Sequence, residues 1–269
     1  MINVVVTGAC GRMGSAIIRH LLSQSDMKLA GAVENPKHLN IGKDIGEILG
    51  AGKLGIDISP SLKKVIDKSD VIIEFVNPKT SIEHLETAHL FKKPIVIGTT
   101  GFIGPELKII NNASRNIPCV LSPNMSIGVN SLFSLVPKFA KILGDDYDIE
   151  IIEAHHNLKK DAPSGTALKL AELIAGSLNR DMKECAVYGR SGITGERSKK
   201  EIGIHAVRGG DIVGDHTIVF AGPGERIEVT HRAHSREVFV FGAVKAARFA
   251  VNAKPGLYNM QDILGIREK

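Results

Sequence analysis

The chain has 269 residues, 43% of them hydrophobic and 23% charged, which is enough to bury a large core and to divide into two domains. No apolar run approaches the roughly 20 residues that span a membrane, the opening Ile2-Asn-Val-Val-Val6 is too short for a secretory leader, and three cysteines (Cys10, Cys119, Cys185) without a Cys-x-x-Cys pair argue against a disulfide framework or a zinc site and for a reducing cytoplasm. A net charge of +5, with no Trp and no basic block interleaved with aromatics, suits a small anionic ligand rather than a nucleic acid.

In chain order, Ile2–Thr7 is a short β-rich run that feeds Gly8-Ala-Cys-Gly-Arg-Met-Gly14 and then a helical pattern through Ile17, Ile18, Leu21 and Leu22. The glycine spacing is G-x-x-G-x-x-G, with Ala9 in the first glycine slot of the common dinucleotide fingerprint and Gly8 just ahead of it. Gly11 allows the backbone to approach a pyrophosphate, Gly14 allows tight helix–strand packing, and the helix start turns its N–H groups to the phosphates. A second strand, Lys28–Val33, ends in Glu34, twenty residues after Gly14, where an acid accepts hydrogen bonds from ribose hydroxyls. A glycine turn alone marks only a tight strand–helix connection. Strand, turn, helix and acid in register point to a dinucleotide site.

The alternation continues with a strand at Asp70–Val76, an N-cap and N1 proline at Asn77-Pro78, a strand at Pro94–Gly98, a helix over residues 105–115 and a short strand at Cys119–Pro123. Strands alternating with helices predict a parallel, doubly wound sheet that binds ligands at the carboxyl ends of its strands. Gly98-Thr-Thr-Gly101 and Ser122-Pro-Asn-Met125 lie at such ends, and each is equally compatible with ordinary turn chemistry. After about residue 126 the pattern changes. A helix from Val129 to Leu143 precedes a strand at Tyr147–Ala154, and a helix follows from Ser164. Beyond residue 185 come β-rich runs at Ile202–Arg208, Asp215–Ala221 and Glu225–His231, punctuated by glycines as antiparallel neighbours are. The segment Arg190–Glu201 reads as a mobile loop with solvated charges, and Lys160, Lys169 and Arg180 as surface charges. A final helix, Phe239–Phe249, is expected to return to the first domain.

The densest chemistry lies in Glu153-Ala-His-His-Asn-Leu-Lys-Lys-Asp-Ala-Pro-Ser-Gly-Thr166, between the strand and the helix. Adjacent His155 and His156 point to opposite faces while the strand lasts, and either can be a structural histidine. No helical His pair or Cys/His cluster accompanies them, so no metal is expected. Lys159 is near enough to share a site with the histidines if the loop turns back, and a histidine beside an ammonium and an anion suits proton donation. Ser164 is an N-cap residue, so Gly165 and Thr166 offer N–H groups to a carboxylate or phosphate. These residues describe a nicotinamide oxidoreductase acting on a small anion. Another two-domain dehydrogenase with a catalytic lysine fits the same pattern, and a non-enzymatic NAD-binding redox sensor would not need the paired His and Lys.

Gly8-Ala-Cys-Gly-Arg-Met-Gly14, Gly98-Thr-Thr-Gly101, Asn124–Asn130 and Glu153–Thr166 closely resemble the 4-hydroxy-tetrahydrodipicolinate reductase (dihydrodipicolinate reductase) family over nearly the whole chain, with Arg208–His216 and Gly224–Glu228 included. The resemblance implies an α/β protein: a Rossmann-type dinucleotide domain (residues 1–126 and 236–269) and an α+β substrate and oligomerisation domain (127–235) with a mixed, largely antiparallel sheet. It implies NADH or NADPH as the hydride source, a cyclic unsaturated dicarboxylate as substrate on the route to diaminopimelate and lysine, and a homotetramer. His155 would be the proton donor and acceptor and Lys159 the second proton donor, with His156, Gly165 and Thr166 binding substrate. Gly8, Ala9, Cys10, Gly11, Arg12, Met13, Glu34, Gly98, Thr99, Thr100, Ser122, Pro123, Asn124 and Met125 would hold the cofactor. Asn35 stands where some members carry an arginine facing the adenosine 2′-phosphate, leaving Lys37 and Arg12 as substitute cations. Leu158 stands where some members carry a further histidine.

Overall fold

A computed structural model describes residues 1–266. The chain opens with β1 (Ile2–Thr7), α1 (Arg12–Leu21), β2 (Met27–Val33), α2 (Ile45–Leu49), β3 (Ile58–Ser59), β4 (Val71–Glu74), α3 (Pro78–Leu90), β5 (Ile95–Ile97), α4 (Gly104–Ser114) and β6 (Pro118–Leu121). It continues through α5 (Ile127–Leu143), β7 (Asp148–His155), α6 (Gly165–Ser177), α7 (Met182–Cys185), β8 (Ala186–Tyr188), β9 (Ile202–Arg208), β10 (Gly214–Gly222) and β11 (Glu225–Ala233). It closes with α8 (Glu237–Asn252), β12 (Gly256–Tyr258) and α9 (Met260–Leu264). Two compact units result, one built from Met1–Ile127 and the chain from Glu237 onward, the other from Gly128–Arg236. Of the final segment assigned from sequence, residues 267–269 lie outside the described residues.

The first unit holds a parallel sheet in the order β12-β6-β5-β4-β1-β2-β3. Its central strands are apolar on both faces because helices cover both. Val4, Val6, Ile73, Val96 and Val120 pack with Ile17, Ile18 and Leu21 of α1 and with Val240, Ala243, Val244 and Ala247 of α8. Val5, Ile72, Ile95 and Ile97 pack on the other side with Leu85 of α3 and Ile110 of α4. Small residues let α8 approach closely: a Cβ at Gly242 would fall 1.7 Å from the Met125 carbonyl oxygen. The sheet gains an edge strand that sequence did not reveal, β12, whose Gly256 and Leu257 register with Pro118 and Cys119 of β6.

The second unit holds a mixed sheet in the order β11-β10-β7-β9-β8. Strands β10 and β11 are antiparallel neighbours as expected, but β9 does not lie beside β10. Strand β7 separates them, antiparallel to β10 and parallel to β9. A parallel pair needs a long crossover, and α6 lies within it. One face of this sheet buries Ile149, Ile151, Ile202, Ile204, Ile218 and Phe220 under α5 and α6. On the opposite face Ile152 is 41% and Val207 48% exposed.

Of the charges in Arg190–Glu201, Glu196, Lys199 and Lys200 are exposed as expected, but Arg190, Arg197 and Glu201 are paired, contrary to expectation. Arg190 makes a bidentate pair with Glu150 (2.9 and 3.0 Å) and reaches Glu201 at 3.1 Å. Arg197 bonds Asp148 at 2.7 Å, Glu150 at 3.0 Å and the carbonyls of Ile149 and Glu201 at 3.0 and 2.9 Å. Arg180, likewise expected at the surface, has a side chain only 5% exposed and bonds Asp145 at 2.6 Å. Arg190 and Arg197 thereby tie a segment without regular structure to the first residues of β7, Asp148, Ile149 and Glu150. Lys169, in contrast, is a half-exposed helix-surface charge paired with Glu172.

Candidate active site

The glycine turn follows β1 directly. Gly8 takes φ +65°, a left-handed conformation that only glycine adopts without strain, and a Cβ there would stand 2.9 Å from the Phe75 carbonyl oxygen. A Cβ at Gly14 would overlap the Gly8 carbonyl at 2.1 Å, so α1 packs against its own turn only as glycine. The Ala9 N–H donates to the Val33 carbonyl at 3.0 Å, which leaves Ala9 buried. The Glu34 carboxylate accepts from the Cys10 N–H at 2.9 Å and from the Asn35 N–H at 2.8 Å. Glu34 thus braces the turn before any ligand arrives, and its remaining lone pairs can accept ribose hydroxyls.

A cleft of about 610 Å³ opens where β1, β2, β3 and β4 end. Gly8, Gly11, Glu34 and Asn35 line it together with Pro60, Ser61, Lys63, Phe75, Asn77, Lys79, Thr80 and His84. Size, position at the carboxyl ends, a glycine cradle and an acid at the β2 end all fit a dinucleotide. Neither Lys37 nor Arg12 lines the cleft. Lys63 does, because the Glu34 N–H bonds the Ser59 carbonyl at 3.0 Å and carries the chain after β3 alongside the Glu34 turn. Asn77 caps α3 with Pro78 at N1, as its sequence predicted. His84 of α3 meets the buried Glu74 carboxylate at 3.1 Å, and Ser81 bonds the same carboxylate. Gly98 leaves room for the Phe75 ring, which a Cβ would meet at 2.1 Å. The Thr99 hydroxyl accepts from the Val76 N–H at 3.0 Å, and Thr100 is exposed beside it. After β6 the Ser122 hydroxyl donates to the Asn124 carbonyl at 2.7 Å, Pro123 is exposed, and Met125 is buried in the core. Cys10 and Met13 pack at the margin of that core, while Arg12 is exposed.

The second unit assembles the His-rich stretch at the end of β7. Alternation along the strand puts Glu153 and His155 on one face, and the strand ends there, so His156 turns away. The His156 N–H donates to the Ile212 carbonyl at 2.7 Å, and its Nδ1 is buried without a partner. Glu153 is fully buried and its carboxylate is saturated. It accepts from His155 Nδ1 at 2.6 Å, from the Ser164 N–H at 3.0 Å and from both terminal nitrogens of Arg208 at 2.8 Å. Burial opposes its charge, but the bonds from Arg208, His155 and Ser164 prevail and hold the carboxyl below its usual range. His216 of β10 stands edge-on to His155 with ring centres 5.3 Å apart, and its Nε2 meets the Ser164 hydroxyl at 3.1 Å. Desolvation, reinforced by the neighbouring His155, pushes His216 down to about 4, so it is neutral at pH 7.

Ser164 caps α6, its hydroxyl accepting from the Ala167 N–H at 3.2 Å. Gly165 is the first helical residue, exposed, with open space around its Cα, and Thr166 follows it, partly buried. Lys159, in the loop between, holds the Asp161 carboxylate at 2.8 and 2.9 Å, and that loop is tied down by Arg208 Nη2 on the Asp161 carbonyl at 2.8 Å. Leu158 is 81% exposed. The structure therefore gathers His155, Lys159, Gly165 and Thr166 on one connected stretch, and adds Glu153, Arg208 and His216, to which sequence reading assigned no role. The Glu153–His155 spacing of two was a usable signal. Nothing local marks Arg208 and His216, which reach the site through strand register, His155 opposite Arg208 and Glu153 opposite His216.

Comparison with known proteins agrees with this geometry. A family profile described as dihydrodipicolinate reductase, N-terminus, matches residues 2–125, and one described as dihydrodipicolinate reductase, C-terminus, matches residues 128–264. The chain is 54% identical over 267 residues to the 4-hydroxy-tetrahydrodipicolinate reductase of Syntrophus aciditrophicus, covering 99% of this chain and 100% of that one. The enzyme of the same name from Geobacter sulfurreducens is 51% identical with the same coverage. Among solved structures, a dipicolinate-bound dihydrodipicolinate reductase from Paenisporosarcina sp. TG-14 superposes with a TM-score of 0.73 at 27% identity, covering 97% of this chain and 98% of that one.

Proposed function

The chain belongs to the dihydrodipicolinate reductase family of NAD(P)H-dependent oxidoreductases, and from that membership we propose that it converts (2S,4S)-4-hydroxy-2,3,4,5-tetrahydrodipicolinate to tetrahydrodipicolinate with loss of water, on the route to diaminopimelate and lysine. The observation that carries this reading is the coexistence of His155, Lys159 and an unobstructed helix start at Gly165 on the stretch that closes β7. A reduced nicotinamide bound to the first unit would supply the hydride. The dinucleotide would rest on Gly8–Met13, with its ribose on Glu34 and the turns at Gly98–Thr100 and Ser122–Met125 enclosing it.

In the second unit the substrate's carboxylates are drawn by the net positive loop and by the amides of Gly165 and Thr166, with His156 Nδ1 as a further polar group for the ring. Elimination of water takes a proton from carbon and gives one to the departing hydroxyl, and hydride addition then consumes another. His155 serves as the donor and acceptor and Lys159 as the second donor. Lys159 must first exchange Asp161 for the substrate, an inexpensive step because Asp161 is 63% exposed. We also assign the uncovered face of the β7–β11 sheet, with Ile152 and Val207, to contact between four copies of the chain. The enzyme works in the cytoplasm, where free Cys10, Cys119 and Cys185 stay reduced.

The test is steady-state NADH and NADPH oxidation with enzymatically generated substrate, alongside light scattering for the mass. Cofactor oxidation strictly dependent on that substrate, with four chains per particle, is the expected result. Turnover with an unrelated imine or keto acid but not with this substrate overturns the assignment.

A further inference from the structure

A histidine gives a defined proton only when something decides which ring nitrogen carries it. We infer that Glu153 is a positioning residue that makes this decision for His155 and, through the same carboxylate, fixes His155 relative to the first amides of α6. The inference rests on the reading of His155 as the proton donor.

The division of labour between the two carboxylate oxygens carries it. Oε2 receives His155 Nδ1 at 2.6 Å and Arg208 Nη1 at 2.8 Å. Oε1 receives the Ser164 N–H at 3.0 Å and Arg208 Nη2 at 2.8 Å. An ionised carboxylate has no proton to give, so at 2.6 Å the Nδ1 is the donor and Nε2 is left to exchange protons with substrate. The Nε2 side is kept clear: a Cβ at residue 214 would stand 3.1 Å from it, and that residue is glycine. When Nε2 releases its proton, the N–H electron pair remains on Nε2 as a lone pair, the ring becomes neutral with Nδ1–H still on Glu153, and solvent returns the proton. Arg208 cannot replace Glu153, because it offers only donors. The charged and titratable groups around His155 are Glu153 on its own strand, Arg208 from β9, His216 from β10, and Lys159 and Asp161 from the loop. His216 also meets the His155 ring edge-on and the Ser164 hydroxyl through Nε2, but Glu153 is the group that accepts hydrogen bonds from both the His155 ring nitrogen and the backbone N–H at the α6 cap.

The decisive measurement is ¹⁵N NMR of the histidine-labelled intact enzyme, with His155 assigned from the peaks lost in His155→Asn. Above its titration the ring is expected as the Nδ1–H tautomer with a bare Nε2. An Nε2–H tautomer overturns the inference. Glu153→Gln adds a kinetic readout. A carboxamide turns one acceptor into a donor, so kcat should fall at least about tenfold with KM moving less. NADH affinity, a property of the first unit, should stay unchanged. A loss of thermal stability with kcat and the His155 tautomer unchanged means that Glu153 is only structural. If Glu153→Gln does not fold, the wild-type tautomer still decides the matter. Near wild-type turnover in His155→Ala would instead remove the reading of His155 itself, whatever its tautomer.

Discussion

Substituting Gly165 separates ligand binding from folding. Its ideal Cβ meets nothing within 4 Å, it is exposed, and it is the first residue of α6. A side chain there therefore costs the fold little, and relieving a helical glycine favours the helix by up to about 1 kcal/mol. The Ser164 N–H is committed to Glu153, so a substrate carboxylate docks on the amides of Gly165 and Thr166, and valine at 165 occupies the space that carboxylate needs without removing any charge. The loss is that of hydrogen bonds to a charged group, about 1.5–3 kcal/mol, or roughly a 10- to 150-fold rise in KM. The assay is KM for the enzymatically generated substrate and calorimetric binding of pyridine-2,6-dicarboxylate, with the melting temperature measured in parallel. Gly165→Ala should give a smaller effect of the same sign. Gly14→Ala is the contrast, since its Cβ would lie 2.1 Å from the Gly8 carbonyl oxygen and should unsettle the first unit. Unchanged KM and unchanged inhibitor affinity in Gly165→Val would refute docking at this helix start.

Other outcomes follow from the same geometry. His155→Ala and Lys159→Ala should each lower kcat by roughly 10²–10⁴-fold with a much smaller change in KM, and a variant with near wild-type turnover loses its catalytic role. NADH should be used at least comparably to NADPH, because the Glu34 carboxylate lines the cleft and would repel a 2′-phosphate while Asn35 is neutral; if kcat/KM favours NADPH by more than about tenfold, Lys63→Ala should abolish the preference while Lys37→Ala leaves it. Arg197→Ala should destabilise the protein by roughly 1.5–3 kcal/mol in denaturant unfolding, whereas no change would mean that the 190–201 charges are solvated after all. Stability should also fall as pH drops from about 6.5 towards about 4, because the unfolded state protonates His216 before the folded state does, with a slope of up to about 1.4 kcal/mol per pH unit that His216→Asn removes. An unchanged pH slope in that variant would show that another group sets it.

What sequence alone decided here is whatever depends on neighbours a few residues apart. The turn Gly8–Gly14, the acid at Glu34, the Asn77 cap and the Ser164 cap all form where their spacing predicts. The turn and the two caps are governed by backbone conformation or by a hydrogen bond to an N–H within three residues, so a short window contains their cause, whereas the bond from the Cys10 N–H to Glu34 spans 24 positions. The alternation of strand and helix likewise sufficed for the parallel sheet. Tertiary structure decided the rest. The Arg208 and Glu153 side chains meet across 55 positions of sequence, and Arg190 and Glu150 across 40, through strand register that no local pattern encodes. That is why Arg190 and Arg197, set among Gly, Ser and Lys, read as solvated charges and yet close onto β7. It is also why β7 stands between β9 and β10, and why Lys63 rather than Lys37 or Arg12 lines the cleft. The spacing of two puts His155 and Glu153 on one face of β7. Only the register of β9 and β10 surrounds that pair with Arg208 and His216, and it is this register that buries the Glu153 carboxylate against Arg208 as well as His155.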